Sequence, residues 1–180
     1  MARTVQMASA LAQRLGTWYL FPDNVVLSGF WRPGDVVDLG EPALREAKLG
    51  YRAKTLIRLG EQFLADPELE PRLRTLAGDP QALRTALQRL YGVGPATSGY
   101  LMFDVFKSLD ELTHLPPWEA KILGRLLFDD PDTDPATTVA WCHQHWTPYT
   151  MLATHAVFET VFWHRATGNG PAWLDDLIRL

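Results

Sequence analysis

The sequence predicts an all-α fold, and three observations lead to that prediction. Apolar residues recur at helical spacing along most of the 180 residues. Glycine and proline interrupt the pattern at intervals, where helices would end and begin. No stretch shows the strict apolar and polar alternation of a half-buried strand, and no internal repeat is evident. We therefore expect one domain, or two tightly fused helical lobes, over residues 1–180.

The first 41 residues are predicted to form one helix and one long loop. Apolar residues at helical spacing predict a helix over residues 4–15, which Gly16 ends. From Thr17 to Glu41, aromatic residues are mixed with proline and glycine. We expect an ordered but irregular loop there, packed down by its aromatic side chains.

The middle of the chain is predicted to contain five helices, each bounded by glycine or proline. Their predicted ranges are 41–48, 51–64, 81–90, 95–107 and 118–128. Pro67 and Pro71 break the chain before the third of these helices. A loop rich in Pro and Asp at 129–135 then leads into a long terminal helical region.

Composition excludes several classes of protein. Apolar residues make up 47% of the chain, with seven Trp and eight Phe, which is unlike a disordered chain. No apolar run approaches the roughly 20 residues of a membrane span, and the first residues lack the apolar core of a signal peptide. We therefore expect a cytoplasmic protein that does not bind a membrane.

The cysteine count limits the metal chemistry of the chain. Cys142 is its single cysteine, so the chain forms no internal disulfide and holds no cluster through several cysteines. Cys142, His143 and His145 are close in sequence but point in different directions around a helix, and zinc needs three or four ligands. We expect no metal site and no cofactor.

The turn between the third and fourth predicted helices has a distinctive composition. Gly92 and Gly94 flank Val93, and Pro95 stands at the first position of the next helix. We expect the glycines to let the backbone take positive φ and come close to a partner, while Val93 anchors the turn in the core. The free N–H groups that begin the next helix would then bind an anion such as a phosphate.

The formal net charge is −4, whereas proteins that bind a polyanion usually do so through clustered Lys and Arg. Binding through backbone N–H groups is compatible with this negative charge. Backbone N–H groups need few charged side chains around them. The alternative is an ordinary helix–turn–helix corner that ends in a glycine cap.

Three stretches resemble the helix-hairpin-helix superfamily of endonuclease III, 8-oxoguanine and 3-methyladenine DNA glycosylases. They are the turn of Leu90, Gly92, Val93, Gly94, Pro95 and Thr97, the segment Leu49-Gly50-Tyr51-Arg52-Ala53-Lys54, and Trp146-Thr147-Pro148-Tyr149 before an aromatic helix. Together they extend over most of the chain, although only the hairpin is a specific motif.

The resemblance implies a monomeric helical protein with a cleft between two lobes. It implies that the hairpin, near residues 83–107, binds double-stranded DNA containing a damaged or mispaired base, which is flipped out and excised. The DNA-binding residues that it implies are Gly92, Val93, Gly94, Ala96 and Thr97. The residues that it implies for the substrate pocket are Tyr51, Arg52 and Trp118.

A catalytic carboxylate is also implied, at the start of the helix that follows the hairpin. Glu119 takes this position, where members of the superfamily usually have Asp. Independently, helical spacing places Glu119 within the apolar stripe of its helix, between Leu123 and Leu126, where a charge needs a purpose. The alternative is that Glu119 caps its own helix. Asp104 and Asp110 are weaker candidates.

Two family features are missing. Bifunctional members carry a lysine at the position of Ala96, which forms a Schiff base for strand cleavage, so we expect hydrolysis without lyase activity. The Asn- or Gln-rich first helix is not evident, since only Gln6 and Gln13 are present. Either the chain starts late or the pocket differs.

Other residues have two interpretations. Trp18, Phe30 and Trp31 are candidates to stack on a flipped base or wedge the duplex, although core packing is the stronger expectation for each. The residues expected only to pack or to lie on the surface of the last helix are His155, Trp163 and His164. A DNA-binding module without activity, and a helical protein-interaction domain, are the alternative functions.

Overall fold

The computed structural model describes residues 2–177, which form ten α-helices and one short antiparallel β-hairpin. The helices are α1 (Ala2–Leu15), α2 (Pro33–Glu46), α3 (Arg52–Ala65), α4 (Leu69–Thr75), α5 (Pro80–Leu87), α6 (Pro95–Asp104), α7 (Pro117–Phe128), α8 (Pro135–Trp146), α9 (Thr150–Ala166) and α10 (Trp173–Leu177). This confirms the predicted all-α class. None of the helices within residues 2–177 combines the length and the apolar character needed to span a bilayer.

The described residues divide into two compact units. One comprises residues 2–72 and 90–92, and the other comprises residues 73–89 and 93–177. In the first unit, α2 packs against both α1 and α3. Its core is built from the apolar stripes of these helices, with Leu44 and Ala53 fully buried.

The second unit contains α5 to α10 around its own core. The fully buried side chains Ile122, Leu123 and Cys142 bring α7 and α8 together at this core. Burial raises the pKa of the Cys142 thiol to about 11, although the nearby Thr154 hydroxyl opposes the shift. Cys142 is therefore an uncharged core residue near neutral pH.

The prediction of an irregular loop over residues 17–41 is wrong. Strands β1 (Trp18–Leu20) and β2 (Val26–Ser28) form a hairpin with Leu20 opposite Val26, and α2 begins at Pro33. Each strand has only three residues, which is too short for strand alternation to be visible in the sequence. The predicted helix 41–48 is the second half of α2, which kinks at Gly40.

The aromatic side chains of this segment differ in their burial. Trp31 packs against the core of the first unit, as expected. Trp18 is 51% exposed and Phe30 is 92% exposed, so the prediction that they pack into the core is wrong.

The remaining helices follow the predicted order, with shorter bounds in the hairpin. α5 ends at Leu87 and α6 at Asp104, each three residues before the predicted end. The helix α4 was not predicted, because Pro71 lies within it. Pro71 is the third residue of α4, where the N–H that proline lacks would have no partner inside the helix.

Candidate functional site

The hairpin between α5 and α6 depends on Gly92. Its φ of 81° lies in the left-handed region, and a Cβ there would lie 2.5 Å from Cγ2 of Thr55. The N–H of the preceding Tyr91 donates a 2.7 Å hydrogen bond to Oε1 of Gln62. Gly92 is therefore required both by the backbone conformation and by the close approach of Thr55.

Gly94 has a different role and does not take the positive φ that glycine permits. It is the N-cap of α6 with φ −94° and ψ −175°, which any residue can adopt. A Cβ on Gly94 would meet nothing within 4 Å. Gly94 therefore leaves open space at the start of a helix.

The first N–H groups of α6 are available to an anion. The first hydrogen bond inside the helix runs from the N–H of Ser98 to the carbonyl of Gly94 at 2.9 Å, so the N–H groups of Ala96 and Thr97 precede it. The N-cap Gly94 has no side chain to cap them. Thr97 is exposed, while Val93 and Ala96 are half-buried. An anion site at these N–H groups stays a prediction.

Ser98 stabilises this start of α6, and sequence reasoning did not identify it. Its buried hydroxyl donates to the carbonyl of Pro95 at 2.8 Å and accepts from Nε2 of Gln88 at 3.0 Å. These bonds tie the end of α5 to the first turn of α6. The available signal was a serine in the first turn after Pro95, on a helix that otherwise buries apolar residues.

We expect Gly92→Ala to destabilise the protein by about 1–3 kcal/mol, because alanine at this φ is strained and its Cβ collides with Thr55. Gly94→Ala is the matched control and should change the free energy of unfolding by less than about 0.5 kcal/mol, since its Cβ has open space. Urea unfolding of both variants measures the difference. Equal stability of the two would contradict this account of the turn.

Glu119 lies in the first turn of α7 and is only 6% exposed, as its place in the apolar stripe predicts. Its Oε1 accepts a short hydrogen bond from the hydroxyl of Tyr100 on α6. Two observations disfavour the alternative that Glu119 caps α7. Pro116 and Pro117 have no N–H for a capping box, and within residues 2–177 the hydrogen-bond partner of the Glu119 carboxylate is Tyr100.

The groups around Glu119 shift its pKa in opposite directions. Burial raises the pKa of Glu119 above the ordinary value, while the hydrogen bond from Tyr100 and the positive charge of a protonated His155 lower it. Burial and the contact with Glu119 raise the pKa of Tyr100, which therefore stays a protonated donor. Neither Tyr100 nor His155 was predicted as a site residue.

A small cavity of about 20 Å³ joins Glu119 to the start of α6. Its walls include Pro95 and Ala96 from the first turn of α6 and Tyr100 one turn later. Arg84 also lines it and pairs with the carboxylate of Glu111 at 3.1 Å. The first turn of α6 and the buried carboxylate of Glu119 therefore border the same cavity.

The residues predicted for the substrate pocket lie in different units. Trp118 is 40% exposed and packs on Phe158 and Phe162, with ring centroids 5.8 Å away in each case. Tyr51 and Arg52 belong to the first unit, where the guanidinium of Arg52 lies 4.8 Å from the centroid of the exposed Tyr51 ring.

Asp104 and Asp110, the weaker candidates for the catalytic carboxylate, have surroundings that differ from those of Glu119. Asp104 is exposed at the end of α6. Asp110 accepts hydrogen bonds from the N–H and hydroxyl of Thr150 at the start of α9. Burial opposes its ionisation, but these bonds and the nearby His143 hold the pKa of Asp110 below its ordinary value. Asp110 therefore anchors a loop to a helix.

The histidines near Cys142 also have structural partners. Nε2 of His143 lies 2.7 Å from the carbonyl of Leu112, and Nδ1 of His145 lies 2.8 Å from that of Trp141. Within residues 2–177, no three His, Cys, Asp or Glu side chains are grouped so that they could hold a metal ion.

No protein-family model and no curated protein matches this sequence, but solved structures do. The Clostridium acetobutylicum 8-oxoguanine glycosylase/lyase, bound to double-stranded DNA containing cytosine opposite 8-oxoguanine, matches with TM-score 0.72 and 15% identity over 91% of this chain and 53% of that chain. MBOgg1 with a low affinity DNA ligand matches with TM-score 0.74 and 16% identity, over 91% and 54%. The 3-methyladenine DNA-glycosylase of Archaeoglobus fulgidus matches with TM-score 0.65 and 15% identity, over 83% and 49%.

This chain spans about half the length of each of these solved proteins. The similarity is one of structure, since identities of 15–16% are too low to be informative residue by residue. The chain has the helical fold of these solved DNA glycosylases, as its hairpin motif predicts.

Proposed function

We propose that this protein is a DNA glycosylase that flips out a damaged or mispaired base and removes it by hydrolysis. One observation carries the proposal: the buried carboxylate of Glu119 borders the same cavity as the first turn of α6. A phosphate held by the N–H groups of that turn would bring a sugar of the same strand towards the carboxylate. The fold shared with solved glycosylases supports this function.

In the proposed reaction the bond between the sugar C1′ and the base nitrogen breaks, and its electron pair leaves with the base. Glu119 stabilises the positive charge that develops on the sugar. A water molecule then attacks C1′ and gives a proton to Glu119, while the departing base takes a proton from solvent. The cavity beside Glu119, about 20 Å³, has room for one such water.

The substrate class is tested with a panel of duplexes, each carrying one modified or mispaired base. The panel includes 8-oxoguanine opposite cytosine and 3-methyladenine, which the names of the similar solved proteins suggest. Alkali cleaves the strand wherever a base has been lost, so excision appears as a shortened strand. A protein that binds these duplexes and excises none of the bases would contradict the proposal.

We further propose that excision leaves the abasic strand intact, because Ala96 offers no amine at the hairpin position that carries lysine in bifunctional enzymes. Strand breaks should therefore require alkali, and borohydride should trap no covalent complex between protein and DNA. The control is a known glycosylase/lyase treated in parallel. Trapping of this protein would show that another amine attacks the sugar.

A DNA-binding module without activity is the second candidate function. The presence of Glu at position 119, where the superfamily usually has Asp, favours it. Under this alternative, as under the glycosylase proposal, DNA binding depends on the hairpin. The alternative also predicts that binding is the same for Glu119→Gln and that no base is released by either protein.

A further inference from the structure

Tyr100 is the hydrogen-bond donor to Glu119 within residues 2–177, and its partner is Oε1 of the carboxylate. Ala96 and Tyr100 are four residues apart on α6, so they lie on the same face of that helix. Both line the cavity that Glu119 borders. Tyr100 therefore connects the start of α6 to the carboxylate through one helical turn and one hydrogen bond.

We propose that Tyr100 is the positioning residue of Glu119, holding Oε1 so that Oε2 is left for the substrate and keeping the buried carboxylate charged. This inference rests on the proposed glycosylase function. A carboxylate with no donor would lose its charge more readily at this burial, and its two oxygens would be equivalent. A phenylalanine would fill the same space without providing either effect.

Other charged groups around the site also act on Glu119. His155 on α9 lowers the pKa of Glu119 when it is protonated. Arg84 on α5, its partner Glu111, and His114 in the loop before α7 line the same cavity. None of them is recorded as a hydrogen-bond partner of Glu119 in the described part of the chain. Removing the Tyr100 hydroxyl therefore removes the direct donor and leaves these groups in place.

The test is an NMR titration of the Glu119 carboxyl carbon in protein labelled with ¹³C-glutamate, assigned by comparison with Glu119→Gln. Tyr100→Phe should raise the pKa of Glu119 by about one unit, because the donated bond stabilises the charged form. Tyr149→Phe is the control, since Tyr149 is exposed in the same unit, and it should leave the titration unchanged. An unchanged pKa of Glu119 in folded Tyr100→Phe protein would overturn the inference.

The second measurement is the single-turnover excision rate as a function of pH. Wild-type activity should be present above the pKa of Glu119 and lost as pH falls through it, and Tyr100→Phe should move this acid limb upward by the same amount as the titration. The two proposals can fail separately. If Tyr100→Phe shifts the Glu119 titration but the wild type excises no base, the contact between Tyr100 and Glu119 is supported and only the glycosylase function is contradicted. Excision with an acid limb that does not move would overturn the positioning role.

Discussion

Glu119→Gln is expected to lower base excision at least a hundredfold while the protein stays folded and still binds DNA. Glutamine keeps the size and the hydrogen bond from Tyr100 but removes the negative charge that faces the sugar. A hundredfold in rate corresponds to roughly 2.7 kcal/mol of lost transition-state stabilisation, a typical value for one electrostatic group in an active site. Single-turnover assays on the preferred lesion, read after alkali treatment, measure the loss.

The same variant should be at least as stable as the wild type at pH 7. Burial raises the pKa of Glu119 in the folded protein, so its contribution to stability is fully present below the unfolded pKa and is lost as pH rises through the folded pKa. Glu119→Gln has no such loss. Urea unfolding at pH 5 and pH 7 measures the difference.

Asp176→Asn is the matched control, because Asp176 is exposed on α10 and its replacement changes the net charge equally. It should leave excision and stability close to wild type. Full excision by Glu119→Gln would assign catalysis to another residue.

Gly94→Glu is expected to weaken binding to every DNA duplex by about tenfold or more, irrespective of sequence. The new side chain and its charge would stand where a phosphate meets the N–H groups of Ala96 and Thr97. Loss of one hydrogen-bonded contact to a charged group costs about 1.5–3 kcal/mol, and 1.4 kcal/mol is tenfold in affinity. The variant should fold, because the backbone at Gly94 suits any residue and its Cβ has open space.

Fluorescence anisotropy at fixed salt measures this affinity, since electrostatic binding changes steeply with ionic strength. Gly78→Glu is the control, because a Cβ at Gly78 also meets nothing within 4 Å and the charge change is identical. Its binding should be close to wild type. If folded Gly94→Glu binds as tightly as Gly78→Glu, the hairpin is not the DNA contact.

Sequence patterns predicted the structure correctly where it depends only on residues that are close together in the chain. Gly92 and the proline at position 95 predicted a turn and a helix start, and both are present. The position of Glu119 in an apolar stripe predicted its burial, because helical spacing alone sets which face a residue is on. The sequence left open whether Glu119 caps its own helix.

Local patterns failed where the structure depends on short pairings or on conformations that several residues can adopt. The hairpin of β1 and β2 has three residues in each strand, too few for alternation to be visible. The glycines of the turn were expected to let the backbone take positive φ, yet Gly94 is an extended N-cap. Glycine permits a left-handed conformation without requiring it.

The sequence by itself determined the helical class, the helix-hairpin-helix turn and the identity of the buried acid. Only the tertiary structure decided the surroundings of that acid: the hydroxyl of Tyr100 from α6, the cavity shared with Ala96, and the electrostatic effect of His155. Helix periodicity reports which face of a helix is buried, because it depends on one helix alone. The partner on that face depends on how separate helices pack, and so does the direction in which the pKa of the acid moves.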